Sequence, residues 1–151
     1  DNIYARFDDI FATKTTIQTS DANEKQQIAS LTSAEITAAK ALSQLFKTYK
    51  WNSAVESKGD DARTHTGVIA QEVQQAMTDA GLDAGDYAFF ISSTWWEHEG
   101  TTYDTQEEAP EGATQRTRLG VRYPELLAFI GAATEQRLAN IETRLTALEG
   151  A

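Results

Sequence analysis

Residues 137–149 read Arg-Leu-Ala-Asn-Ile-Glu-Thr-Arg-Leu-Thr-Ala-Leu-Glu. Leu138, Ile141, Leu145 and Leu148 step by three, four and three, so they fall at a, d, a and d of two heptads. Such a stripe is narrow enough for a coiled coil. In the same frame Arg137 and Arg144 occupy g, while Glu142 and Glu149 occupy the e positions of the following heptads, where a parallel partner helix would present them. RLANIE and RLTALE are also two successive copies of the Arg-apolar-x-x-apolar-Glu pattern of parallel three-stranded coils. The competing reading is a helix that simply packs on its own domain, because two heptads alone are too short to be stable.

Composition weighs toward partner helices. The chain has 151 residues and is 40% hydrophobic, but 23 of those residues are Ala, leaving 38 larger apolar side chains. A compact domain of this length should bury roughly 68–70% of its unfolded surface. So thin a supply of bulky residues predicts a core completed by other copies, and with the a/d stripe and the g/e charges it predicts a homotrimer. Exposed pairs of this kind are worth ~0.2–1 kcal/mol each, so they set orientation and partner number more than affinity.

Charge and residue types exclude several functions. Lys plus Arg number 13 against 23 Asp plus Glu, a formal charge of -10, which argues against nucleic acid as a partner. With no Cys, and with His65 and His98 lacking ligand spacing, neither a metal nor another cofactor is expected. No apolar run reaches the ~18–20 residues of a membrane span, so no membrane partner is expected. The start at Asp1, without Met or a signal-like run, reads as the C-terminal piece of a longer chain.

Working outward from the coil, Pro124 opens a last helix over about 124–149, interrupted by Gly131. YAFFISSTWW (87–96) and QRTRLGVRY (115–123) read as a β-hairpin with a protruding loop. Trp95 and Trp96 are adjacent on that strand and point to opposite faces. Either a foreign surface covers one of them, or one is core and the other half-covered by the loop. Gly67 to Gly81 reads as a short helix with Ile69, Val73, Ala76, Met77 and Ala80 on one face, and Trp51–Thr66 as a loop or hairpin. Asp21 to Tyr49 lacks Gly and Pro and repeats apolar residues at three- and four-residue steps, predicting one long helix. Asp21 would be its N-cap, with Glu24 closing a capping box. Residues 1–19 read as extended structure or a linker. The fold class is therefore α+β: long helices, a β-hairpin with a protruding loop, and a C-terminal helix in a parallel trimeric coiled coil.

If Asp21 is the N-cap, Ser20 and Lys25 are the N′ and N4 positions that meet in a staple geometry. A lysine amine is a general base only when neutral, and the positive end of a helix favours that form. Free N–H groups of the same terminus could hold an oxyanion formed at the Thr19 carbonyl. On physics alone, a serine and a lysine at this spacing are more often solvated surface residues.

Their order in the chain is more informative. SDANEKQQI (20–28), TYKWN (48–52), RTHTGVIAQEVQ (63–74), LGVRYPELL (119–127) and a terminal coiled-coil helix follow one another. This order resembles the peptidase S74 family, the C-terminal intramolecular chaperone domains of phage tail fibres, tailspikes and endosialidases, over about residues 20–149. Within it the sequence is similar to the L-shaped tail fibre of a siphophage. The resemblance implies that residues 1–19 end the mature fibre and that 20–151 form the chaperone. It implies a homotrimer that folds the preceding fibre region of the same chain in the host cytoplasm. The chaperone then cuts itself off once, between Thr19 and Ser20, as a serine peptidase with a Ser20–Lys25 dyad. The fibre part would stay in the virion tail and the chaperone part would be released. Asp21, Glu24, Gly67, Gln71 and Glu72 are supporting residues on this reading, and His65 is left out of catalysis. Two positions depart from the family pattern: Asn23 stands where Arg is usual, and Thr66 where an apolar residue is usual. The rival expectation is a non-catalytic trimerisation and receptor-binding fibre tip in which Ser20 is only a cap neighbour.

Overall fold

The structure is a computed structural model that describes residues 19–150, so residues 1–18 of the segment expected to be extended or a linker, 1–19, lie outside the described residues. The chain divides into two units, residues 1–30 and 31–151. In the first, a short 3-10 turn spans Ala22–Glu24 and the chain is extended again at Lys25.

The second unit contains α1 (Ser33–Leu42), β1 (Lys47–Tyr49), α2 (Asn52–Lys58), β2 (His65–Gly67), α3 (Ala70–Asp79), β3 (Phe90–His98), β4 (Thr101–Tyr103), β5 (Thr114–Val121) and α4 (Tyr123–Glu149). It is a mixed helix and sheet fold with one long helix at its C-terminal end. The single helix expected over 21–49 is instead divided, and the reason is a second capping box. Thr32 Oγ1 accepts from Glu35 N at 3.2 Å while Glu35 Oε2 accepts from Thr32 N at 2.6 Å. An N–H held by a side chain cannot donate to the carbonyl four residues back, so no helix runs through Thr32. Upstream, Gln27 sits at φ +53, a left-handed conformation outside any right-handed helix. Downstream, Lys47–Tyr49 pairs antiparallel with His65–Gly67, so the end of the expected helix is a strand. The stretch read as a loop after Trp51 contains the seven-residue α2, none of whose side chains is buried.

The helix expected from Gly67 begins three residues later, because Gly67 closes the β1–β2 ladder. At its other end the chain stops in a Schellman motif: Gly81, at φ +78, donates to Thr78 O, and Leu82 N donates to Met77 O, both at 2.9 Å. Strands β3 and β5 pair from Phe90↔Val121 to Glu97↔Thr114, and β4 adds a third strand on the other edge of β3 that the hairpin reading lacked. Arg122 N extends the ladder to Phe89 O at 2.8 Å and leads straight into α4, which starts at Tyr123 with Pro124 in its first turn.

The core is formed by Ala38 and Leu42 of α1, Val73, Ala76 and Met77 of α3, Val68, Phe89, Phe90 and Leu126. Tyr87, Phe89 and Phe129 stack around it with ring centroids 5.3–5.6 Å apart. Helix α4 therefore carries two faces. Leu126 and Ala133 are buried against the body, whereas Leu127 is 53% exposed, and every residue from Leu138 to Gly150 is exposed.

Candidate functional site

The turn that holds Ser20 and Lys25 is built by Asp21 and Asn23. Asp21 has extended backbone (φ -72, ψ 134), and its Oδ1 accepts from both Asn23 N at 2.9 Å and Asn23 Nδ2 at 3.0 Å. Glu24 N then donates to Asp21 O, and Lys25 N to Ala22 O, each at 3.2 Å. This tight turn reverses the chain enough for Lys25 Nζ to donate to Ser20 Oγ at 2.6 Å. Thr19, Ser20, Asp21, Glu24 and Lys25 are all exposed in the single chain.

Two expectations are corrected here. Asp21 does cap, but it caps a three-residue turn and bonds Asn23, so the reciprocal box lies at Thr32 and Glu35 and not at Asp21 and Glu24. Nor are all the first-turn N–H groups free for an oxyanion, because those of Asn23, Glu24 and Lys25 are already committed inside the turn.

Gly67, Gln71 and Glu72 belong to the other unit, on β2 and the first turn of α3. Gly67 has no side chain because Tyr123 fills the space: a Cβ built there would lie 2.1 Å from Tyr123 Oη. That hydroxyl in turn accepts from Val68 N at 3.1 Å. Burial, reinforced by Tyr123, raises the Tyr49 hydroxyl pKa above its ordinary value. Gln71 is exposed. Glu72 Oε1 takes Lys47 Nζ at 2.8 Å, while its Oε2 is shielded from solvent with no hydrogen-bond partner. His65 stacks on Tyr49 at 5.7 Å and meets the edge of Trp51 at 6.2 Å.

On α4, Leu138, Ile141, Leu145 and Leu148 are 49%, 54%, 52% and 77% exposed. Among the described residues, the ion pairs within the chain are Lys47–Glu72 and Arg116–Glu97, so Arg137, Glu142, Arg144 and Glu149 have no intrachain partner. In the hairpin, neither Trp is core and neither is fully exposed. Trp95 Nε1 donates to Glu97 Oε1 at 2.9 Å, Arg116 Nε donates to Glu97 Oε2 at 3.1 Å, and the Arg118 guanidinium lies 5.4 Å from the centre of the Trp95 ring. The Trp95 indole and then Arg116 hold the Glu97 carboxyl below its usual range. Trp96 stands opposite Tyr103 and Gln115. Among the described residues, no three His, Cys, Asp or Glu side chains gather to hold a metal ion.

Asn23, Lys47 and Tyr123 are the participants that the sequence reading missed. An Asp-x-Asn pattern was the available signal for Asn23. Lys47 and Tyr123 act over 25 and 55 residues and left no local signal.

Residues 20–82 match the Peptidase_S74 family, described as chaperone of endosialidase, and the match begins at Ser20. The chain carries a Peptidase_S74 domain. It is 40% identical over 83% of its length to a probable tail spike protein of Klebsiella phage 0507-KN2-1, and 30% identical over 93% to the side tail fiber protein pb1 of Escherichia phage T5. It spans only 11% and 10% of those two proteins. Among solved structures it is similar to the carboxy-terminal domain of the bacteriophage T5 L-shaped tail fibre with its intramolecular chaperone domain. That match has a TM-score of 0.69 at 26% identity over 93% of this chain and 34% of that one. A second, described as a novel intramolecular chaperone, gives 0.63 at 29% identity over 78% of this chain and 97% of that one. The Peptidase_S74 domain is thus of the intramolecular-chaperone kind found in phage tail fibres and tailspikes.

Proposed function

We propose that residues 20–151 form a homotrimeric chaperone that folds the fibre region preceding them and then releases itself by one cleavage between Thr19 and Ser20. The observation that carries this reading is the 2.6 Å contact between Ser20 Oγ and Lys25 Nζ at the position where the family match begins. With the amine neutral, that contact reverses its sense and Lys25 takes the Ser20 hydroxyl proton. Ser20 Oγ bonds to the Thr19 carbonyl carbon, the Thr19–Ser20 C–N bond breaks, and the Ser20 nitrogen receives the proton from Lys25. Water then hydrolyses the ester, leaving a carboxyl group on Thr19 and the hydroxyl on Ser20. One water is consumed and each chain turns over once.

The exposed a/d stripe on α4, with its four unpaired g and e charges, supports closure of three chains around a common axis. The dyad is exposed in the single chain, and a general-base lysine works best in a dry setting. Assembly supplies that setting, so cutting follows trimer formation. Gly67, Gln71 and Glu72 enter the reading on the family resemblance.

The test is a gel of the chain expressed with its upstream fibre. Wild type should yield two fragments with Ser20 at the new N-terminus, and Ser20→Ala and Lys25→Ala should each stay full length. An uncut wild type would instead support the non-catalytic fibre tip.

A further inference from the structure

A lysine that serves as a base must be spared an anionic neighbour, because a carboxylate within about 4–6 Å favours the ammonium form. In the unit containing Lys25, the described ionisable residues are Asp21, Glu24 and Lys25 itself. Asp21 is the chain neighbour of Ser20, the residue that Lys25 Nζ reaches. Yet Lys25 Nζ is bonded to Ser20 Oγ, and no ion pair joins it to Asp21 or Glu24. The Asp21 carboxylate is occupied elsewhere: Oδ1 receives two donors from Asn23, one from its backbone and one from its side chain. Two donors on one oxygen fix both its position and the direction of the carboxylate.

We infer that Asn23 is a positioning residue for self-cleavage: by tethering the Asp21 carboxylate it keeps that anion away from Lys25 and leaves the amine to Ser20. The inference rests on the proposed dyad and adds a second task for the turn. The same two bonds that shape the backbone also direct charge. Loss of the Asn23 side chain leaves the backbone donor in place, so its expected effect is partial.

The experiment measures single-turnover cleavage of the full chain, with its upstream fibre, against pH. Wild type, Asn23→Ala, Asp21→Asn and the double variant are compared. Asn23→Ala should move the midpoint of the rate profile upward by about half a pH unit, which is roughly a threefold loss on the acid limb at tenfold per unit. Assembly size and melting temperature should be unchanged. In the double variant the carboxylate is absent, so the midpoint should return to the wild-type value, and Asp21→Asn alone should leave it at or below that value. An unshifted Asn23→Ala profile, or a double variant that stays shifted, would overturn the inference. Should Asn23→Ala assemble poorly, the Asp21→Asn profile decides alone: an upward midpoint sinks the proposed role. A wild-type chain that never cuts would bring down the dyad and this inference together. A wild type that cuts beside an unshifted Asn23→Ala brings down this inference alone.

Discussion

Replacing Gly67 with Ala should destabilise the domain by about 3 kcal/mol, and the terms can be taken from the geometry. The backbone at Gly67 has no positive φ, so Ala is conformationally acceptable there and should gain about 0.4–1 kcal/mol by restricting the unfolded chain. Against that, the new methyl would sit 2.1 Å from Tyr123 Oη, 3.0 Å from its Cζ and 3.3 Å from Tyr49 Cε1. Forcing an extra carbon into such a contact costs about 1–3 kcal/mol. If the ring withdraws, Val68 N, on a buried residue, loses its partner at 3.1 Å, which costs about 1–3 kcal/mol more. The sum lowers the melting temperature by roughly 10 °C for a domain of this size. The assay is thermal unfolding at fixed chain concentration in a Ser20→Ala background, so that every chain stays intact. A Tyr123→Phe partner isolates the cause, because removing Oη takes away the closest clash. The double variant should be more stable than the two single losses added together, by about 1–2 kcal/mol. A Gly67→Ala protein melting within about 2 °C of its parent, or strict additivity with Tyr123→Phe, would refute the steric account.

The Glu35 carboxyl is held below its usual pKa chiefly by the Thr32 backbone N–H, with smaller help from the Thr32 and Tyr87 side chains and with burial opposing. Its stabilisation is therefore full above the ordinary carboxylate range and lost as pH falls through the depressed folded value. Glu35→Gln should cost about 1 kcal/mol at pH 7, the scale separating a charged from a neutral hydrogen bond. Paired melts at falling pH should converge as the pH drops below the ordinary carboxylate range, and a gap that stays constant down to acid unfolding would contradict the assignment. Leu145→Asp should give monomers in sedimentation and an uncut chain, and a monomer that still cuts would break the link between assembly and cleavage. Arg137→Glu with Arg144→Glu should weaken the trimer by ~0.2–1 kcal/mol per lost pair. Adding Glu142→Arg and Glu149→Arg should restore it, and failure to restore it would argue against a parallel coil.

What was legible in the sequence was local and long. Helix α4 and the β3–β5 pairing announced themselves through sustained periodicity and turn residues. The first helix was misread because two similar signals, Asp21 with Glu24 and Thr32 with Glu35, competed for its start. Only the second is followed by a face that buries Ala38, Ala39 and Leu42, whereas Ile28, between them, is 74% exposed. Strand β1 is three residues long and exists through its ladder with β2, a pairing that no single window contains. The approach of Ser20 to Lys25 survived the error because one tight turn of either helical kind joins residues five apart. The Tyr123 hydroxyl beneath Gly67 could not be read, since it comes from 56 residues further along the chain.

Helix α4 is one continuous rod of 27 residues, and its buried and outward faces lie on neighbouring positions, as at Leu126 and Leu127. Neighbouring positions differ in azimuth by about 100°. In the proposed trimer, the number of residues between Ala133 and Leu138 would therefore set the heading of each lobe about the shared axis, as the cut of a key sets its teeth. In that assembly a single inserted residue would swing each lobe round by that same step. A whole inserted heptad would leave them within about 20° of where they began.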